Sequence, residues 1–193
     1  MTRYSARVIQ GQSLPKLWLM SDARNDASLD RALRALPPGS AFVFRHYHLA
    51  DEARRDRFAE LSAIARECGH RVVLSGSAGE ARAWGADGLY GPARRIGPGN
   101  ERLRIATAHD AREIEAANAI RADAVALSPV FATRTHPDAA TLGPLRFRAL
   151  AALARMPVIA LGGMTAERAA ELDWPRWAAI DGLTRDNGPT QDS

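Results

Sequence analysis

Short apolar runs of β type recur along the chain, and segments with apolar residues at helical spacing separate them. The runs are Leu17–Asp22, Ala41–Tyr47, Arg71–Gly76, Gly88–Gly91, Arg104–Ala108, Ala124–Pro129, Val158–Gly163 and Trp177–Leu183. In the Asp51–Cys68 segment Phe58, Leu61, Ile64 and Ala65 fall on one helical face, and Asp110–Arg121, Pro144–Ala154 and Thr165–Leu172 read the same way. Thr165 is predicted as a helix N-cap, with Glu167 and Arg168 in the turn that follows.

Near-continuous apolar strands alternating with helices predict an α/β protein with a parallel sheet covered by helices. Eight such units are what a (β/α)8 TIM barrel requires. At 193 residues the chain is just below the usual lower limit of roughly 200, so parts must be trimmed. Pro92, Gly97, Pro98 and Gly99 leave little room for a fourth helix, and the polar stretch after Leu183 is too short for a full eighth. The expectation is one domain over residues 1–193: a barrel over about 15–184 with reduced fourth and eighth helices, and a polar tail over 185–193. An open doubly wound sheet is the competing architecture. It lacks support from any Gly-rich dinucleotide turn after Leu17–Asp22.

Composition narrows the chemistry. Lys16 is the only lysine among 26 basic residues and precedes the first strand, which argues against a Schiff-base mechanism, since that needs a buried amine at the active end of a strand. The arginines are dispersed among Asp and Glu and read mainly as solvated helix faces. The densest spots, Arg54–Arg57 and Arg94–Arg95, lack the interleaved aromatics of a nucleic-acid surface. The single cysteine, Cys68, suits a reducing compartment. No apolar run reaches 18 residues and Met1–Gln10 lacks a signal-peptide stretch, so the expectation is a cytoplasmic protein with no membrane or nucleic-acid partner.

In a barrel of this kind, functional groups gather on the loops after the strands, and a phosphate commonly sits after the seventh and eighth. The seventh run ends Leu161-Gly162-Gly163-Met164-Thr165 and opens into a helix, so backbone amides can approach an anion closely. Gly162 and Gly163 can equally serve only the tight turn. The eighth run ends Ile180-Asp181-Gly182-Leu183. Gly182 can face the first two glycines, provided that Asp181 points its carboxylate away. After the sixth run, Thr133, Arg134, Thr135 and His136 put two hydroxyls, a guanidinium and an imidazole on one loop, where Thr133 and Thr135 face the same side if the loop is extended.

These segments carry a resemblance. Pro129-Val130-Phe131-Ala132-Thr133-Arg134-Thr135-His136-Pro137-Asp138, then Leu142-Gly143, then Met156 through Thr165, are similar to the thiamine phosphate synthase and thiazole tautomerase family of (β/α)8 barrels. The match is close from about Ala108 to Ala170, with weaker support from Phe42–Tyr47 and Ala86–Gly91. The resemblance implies a transferase of thiamine biosynthesis that joins hydroxymethylpyrimidine diphosphate to a thiazole phosphate and releases pyrophosphate. It assigns the thiazole phosphate to Thr133, Thr135, Gly162, Gly163 and the backbone near Asp181 and Gly182. It assigns Arg45 to the diphosphate, Thr107 to a small hydroxyl after the fifth strand, and His136 to the place of a diphosphate-contacting lysine. The small phosphorylated thiazole and pyrimidine are the implied partners.

The chain departs from the pattern on the diphosphate side. Val43 and Tyr47 stand where the family has Gln and Lys around the arginine, and Ser75-Gly76-Ser77 and Tyr90-Gly91-Pro92-Ala93-Arg94-Arg95 stand where it has magnesium-binding acids. Mg²⁺ is thus implied by the family, while its ligand positions are not retained. Arg45, Arg94 and Arg95 are candidates to neutralise a diphosphate instead. The tautomerase branch uses a histidine where this chain has Pro129, leaving His109 or His136 as a possible base. His46, His48 and His70 read as structural or solvent-facing. Alternatives to the synthase are a tautomerase-like isomerase and a non-catalytic phosphate-binding barrel.

Overall fold

The computed structural model describes residues 13–99, 101–133 and 140–183. Eight parallel strands, each paired with its sequence neighbours and the last with the first, close a barrel. They are β1 (Leu17–Met20), β2 (Ala41–Phe44), β3 (Arg71–Leu74), β4 (Gly88–Pro92), β5 (Leu103–Ala108), β6 (Ala124–Leu127), β7 (Val158–Ala160) and β8 (Trp177–Ala179). Between them lie α1 (Leu29–Ala35), α2 (Asp51–Glu67), α3 (Ala78–Ala83), α4 (Ala93–Ile96), α5 (Ala111–Ala119), α6 (Gly143–Ala151) and α7 (Ala166–Leu172). The predicted (β/α)8 barrel is therefore correct. The fourth helix is a single turn of four residues that ends at Gly97, whose φ of +58° suits glycine. The polar tail expected over 185–193, and with it the question of an eighth helix, lies outside the described residues.

Strand alternation divides the core in two. Trp18, Met20, Val43, Val73, Tyr90, Ile105, Ala126, Ile159 and Ala178 fill the barrel interior. Their sequence neighbours Leu19, Phe42, Phe44, Val72, Leu74, Ala106, Val125 and Ala160 face outward and pack under the helices. Continuing the inward parity by two residues past Val43, Val73, Ile105, Ala126, Ile159 and Ala178 gives Arg45, Ser75, Thr107, Ser128, Leu161 and Ile180, all of which line the open C-terminal mouth. The chemistry of the mouth is thus the last layer of the barrel interior. At the opposite end Trp18 donates its indole N–H to the Pro15 carbonyl at 2.9 Å.

Two expectations need correction. The eighth run does not continue as strand to Leu183: β8 stops at Ala179 and Asp181–Leu183 forms a 3-10 turn. A Cβ on Gly182 would collide with the Met164 carbonyl, so the chain turns where the loops after β7 and β8 meet. Nor are the arginines only solvated faces. Arg54 and Arg104 are buried, and Arg104 binds the carbonyls of Gly97, Ile120 and Arg121 at 3.0–3.2 Å. A guanidinium with five donors suits loop ends that leave several carbonyls unpaired. No helix among the described residues is long and apolar enough to cross a membrane.

Candidate active site

The mouth is a cavity of about 920 Å³ lined by residues from every strand end except the first. It gathers Arg45, Thr107, Thr133, Gly162, Gly163, Asp181 and Gly182, all chosen from sequence, in one place. Thr135 and His136 lie outside the described residues.

On the β6–β8 side the loops are tied to one another. The amides of Val130 and Phe131 donate to the carbonyls of Leu161 and Gly162, while Leu142 and Gly143 donate to Pro129 and Val130, at 2.9–3.1 Å. Gly162 and Gly163 sit at φ +95° and +63°, which favours glycine. The Arg168 guanidinium, its carbon 5.1 Å from the centre of the Phe131 ring, donates to the Gly163 carbonyl. With both glycine carbonyls already accepting, what the turn offers an anion is its amides and the first turn of α7. Thr165 caps that helix by accepting from the Arg168 amide at 3.3 Å, as predicted. Its hydroxyl also hydrogen-bonds the Glu167 carboxyl and lowers its pKa. Across the cup, the Asp181 carboxylate lies 3.4 Å from the Arg24 guanidinium, so an opposite charge partly offsets its repulsion of an anion. Asn25, nearly fully buried, donates to the carbonyls of Met20 and Ile180 and joins the loops after β1 and β8.

The β2–β4 side is built from guanidinium and hydroxyl groups. Arg45 lies 3.7 Å from the Asp22 carboxylate and 5.7 Å from the centre of the Tyr47 ring. Burial pulls Asp22 toward neutrality, but the hydrogen bonds from Arg24 and the charges of Arg24 and Arg45 outweigh it and hold the carboxyl below its ordinary value. The Tyr47 hydroxyl bonds Ser75 Oγ, which also reaches the Tyr90 carbonyl at 3.2 Å. Burial pushes the Tyr90 phenol up to about 12, so it stays a neutral O–H at neutral pH.

Two supports behind this wall, Arg54 and His46, have partners that a reading of the sequence does not show. Arg54 of α2 donates to the carbonyls of Arg45 and Ser75 at 3.2 and 2.7 Å and to Glu80 at 3.3 Å. His46, fully buried at φ +33°, bonds Ser21 Oγ through Nδ1 at 2.8 Å and Asp26 through Nε2 at 2.9 Å. Ser21 Oγ accepts the Arg45 amide at 2.7 Å, so its own proton goes to Nδ1 and the imidazole donates from Nε2. Burial lowers the His46 pKa despite Asp26, so the ring is neutral at pH 7. His46 and His70 are structural, as expected; His70 donates from Nε2 to the Leu33 carbonyl, 2.9 Å away. His48 is exposed. His109 lines the mouth with Nδ1 on the Glu113 carboxylate at 2.7 Å.

The residues present do not fit a magnesium ion at the positions that the family resemblance implies. Ser77 caps α3, and Glu80, the first acid after β3, closes the capping box through Ser77 N and Oγ at 2.7 and 2.6 Å. These hydrogen bonds and the Arg54 charge hold Glu80 ionised below its ordinary pKa. After β4 the chain offers Arg95 to the mouth, and Arg94 is not among the lining residues. Among the described residues no three His, Cys, Asp or Glu side chains group to hold a metal.

Comparison with known proteins agrees with this fold. The profile of the family described as thiamine monophosphate synthase matches residues 17–174. The thiamine-phosphate synthase of Methanoregula boonei is 33% identical over 122 residues, which is 58% of this chain and 56% of that protein. The thiamine-phosphate synthase of Chloroflexus aurantiacus is 29% identical over 170 residues, covering 81% and 78%. The chain thus spans little more than half the length of the first of these relatives. The solved thiamine phosphate pyrophosphorylase of Pyrococcus furiosus superposes with a TM-score of 0.73 over 89% of both chains at 21% identity, a likeness of fold. The barrel, its glycine-lined cup and the match over residues 17–174 together place this chain in the thiamine monophosphate synthase family.

Proposed function

We propose that the mouth is the active site of a transferase that joins hydroxymethylpyrimidine diphosphate to a thiazole phosphate, giving thiamine phosphate and pyrophosphate. The barrel over about residues 15–184 acts as one functional domain. The observation that carries this reading is the cup formed where Gly162 and Gly163 face Gly182 beneath the loop after β6. Its close backbone approaches and positive φ values suit a phosphate held by amides. Thr133 adds a hydroxyl, with Thr135 expected beside it, and the Asp181–Gly182 backbone closes the far side.

The pyrimidine diphosphate then lies toward Arg45. As the new bond to the thiazole forms, the carbon–oxygen bond to the diphosphate breaks and its electron pair leaves with pyrophosphate. Arg45 meets that growing charge, and Thr107 offers a hydroxyl from β5, next to the β4 edge of that wall. His136 is proposed to reach the same anion. The cytoplasm, where such small phosphorylated substrates are made, is the proposed compartment.

The test is turnover. Purified protein given both substrates is expected to form thiamine phosphate, and Arg45→Ala is expected to lower kcat by about 100-fold or more. Absence of product, while the Chloroflexus aurantiacus enzyme makes it in parallel, would overturn the reading.

A further inference from the structure

We propose that the β2–β4 side of the mouth binds a diphosphate anion by direct contact with Arg45 and Arg95, without a bridging divalent cation. The inference rests on the transferase reading above and names how that site handles its diphosphate.

The carboxylates around this wall are already engaged. Asp22 is shared between Arg24 at 2.9 Å and Arg45 at 3.7 Å. Glu80 is bound by Ser77 and Arg54, and Asp181 faces Arg24. A hard cation entering here meets guanidinium groups and carboxylates that those groups already neutralise, so it finds neither a ligand set of its own nor a net electrostatic attraction. A diphosphate meets the reverse. Arg45 is oriented by Asp22 and by the Tyr47 ring, and Arg95 projects from the single turn of α4, with its Cδ against Gly91. Planar guanidinium forks match phosphate oxygens in pairs and hold their charge at any relevant pH. The hydroxyls of Tyr47 and Ser75 lie on the same wall, but their protons go to Ser75 Oγ and the Tyr90 carbonyl, so recognition of the anion rests on the two cations.

Calorimetric titration with inorganic pyrophosphate, at constant ionic strength in EDTA and again in excess Mg²⁺, reads this directly. The expected result is binding in EDTA, weakened five-fold or more by Mg²⁺, which sequesters the anion. Arg45→Gln and Arg95→Gln should each weaken pyrophosphate ten-fold or more and leave thiazole phosphate binding within two-fold. Arg155→Gln, exposed on the loop before β7, should change neither. Binding that requires Mg²⁺, no binding in either buffer, or an unchanged affinity in Arg95→Gln would overturn the proposal. Thiamine phosphate formation with Mg²⁺-dependent pyrophosphate binding would sink only this inference. Pyrophosphate binding in EDTA without turnover would sink only the transferase reading.

Discussion

Gly162→Ala is expected to destabilise the protein by about 2–4 kcal/mol and to abolish binding of thiazole phosphate. At φ +95° a Cβ is strained, and it would sit 2.6 Å from Pro129 Cα, 2.7 Å from Pro129 Cβ and 3.1 Å from Val130 N. These neighbours cannot give way cheaply. They belong to a loop held by the hydrogen bonds of Val130 and Phe131 to the β7 end and of Leu142 and Gly143 to Pro129 and Val130. The substitution must therefore move the β6 loop or flip the turn, and either displaces the amides of the cup. For a chain of this size the loss corresponds to a fall in Tm of roughly 5–15 °C. Gly79→Ala is the matched control, because Gly79 lies in α3 with only Ser77 Oγ near its Cβ direction, at 3.9 Å. It should stabilise slightly, by about 0.5 kcal/mol, through helix propensity. Thermal melts of the two variants with and without thiazole phosphate check the pair. Equal behaviour would remove the close-approach account.

Arg54→Met should be the most damaging change outside the mouth, lowering stability by about 2–4 kcal/mol and weakening pyrophosphate about ten-fold. The Arg54 side chain is 9% exposed and lies against three rings, with its guanidinium carbon 5.2 Å from the Trp84 centroid, 5.6 Å from Phe44 and 6.0 Å from Tyr47. Methionine fills much of that space but leaves the carbonyls of Arg45 and Ser75 without their donor. Those two acceptors dominate the expected loss, since Glu80 is 40% exposed and its ion pair is screened by water. Arg54 acts as a positioning residue: it holds the ends of β2 and β3, which carry Arg45 and Ser75. Its removal should leave thiazole phosphate binding on the β6–β8 side within two-fold. Arg54→Lys should rescue little, because one ammonium cannot serve carbonyls on two loops and a carboxylate together. An unchanged Tm, or an equal loss of both ligands, would contradict this role.

The strands and the cup were legible because each depends on local pattern. Gly162-Gly163 followed by Thr165 marks a turn into a helix, whereas Arg45 and Thr107 are singled out by the family resemblance and the strand parity seen in the barrel puts them on the inner face. The four-residue α4 follows from Gly97, Pro98 and Gly99 in the same way. What escaped depends on partners distant in sequence. Arg54 meets Ser75 and Glu80 21 and 26 residues on, and Arg57 meets Asp26 31 residues back. Nothing within α2 distinguishes these arginines from the exposed Arg55 beside them. The 3-10 turn at Asp181–Leu183 is not legible in the run Trp177–Leu183 because the approach of Gly182 to the Met164 carbonyl joins the loops of two neighbouring strands. Arg168 could be placed in the first turn of α7, but its target on Gly163 required the fold.

The most direct measurement is a crystal structure of the protein grown with thiazole phosphate. The phosphate is expected between the turn at Gly162 and Gly163 and the facing backbone of Gly182, with Thr133 within hydrogen-bonding reach and the thiazole directed toward Thr107 and Arg45. A phosphate bound elsewhere on the barrel, or a cup left empty at millimolar ligand, would contradict the account.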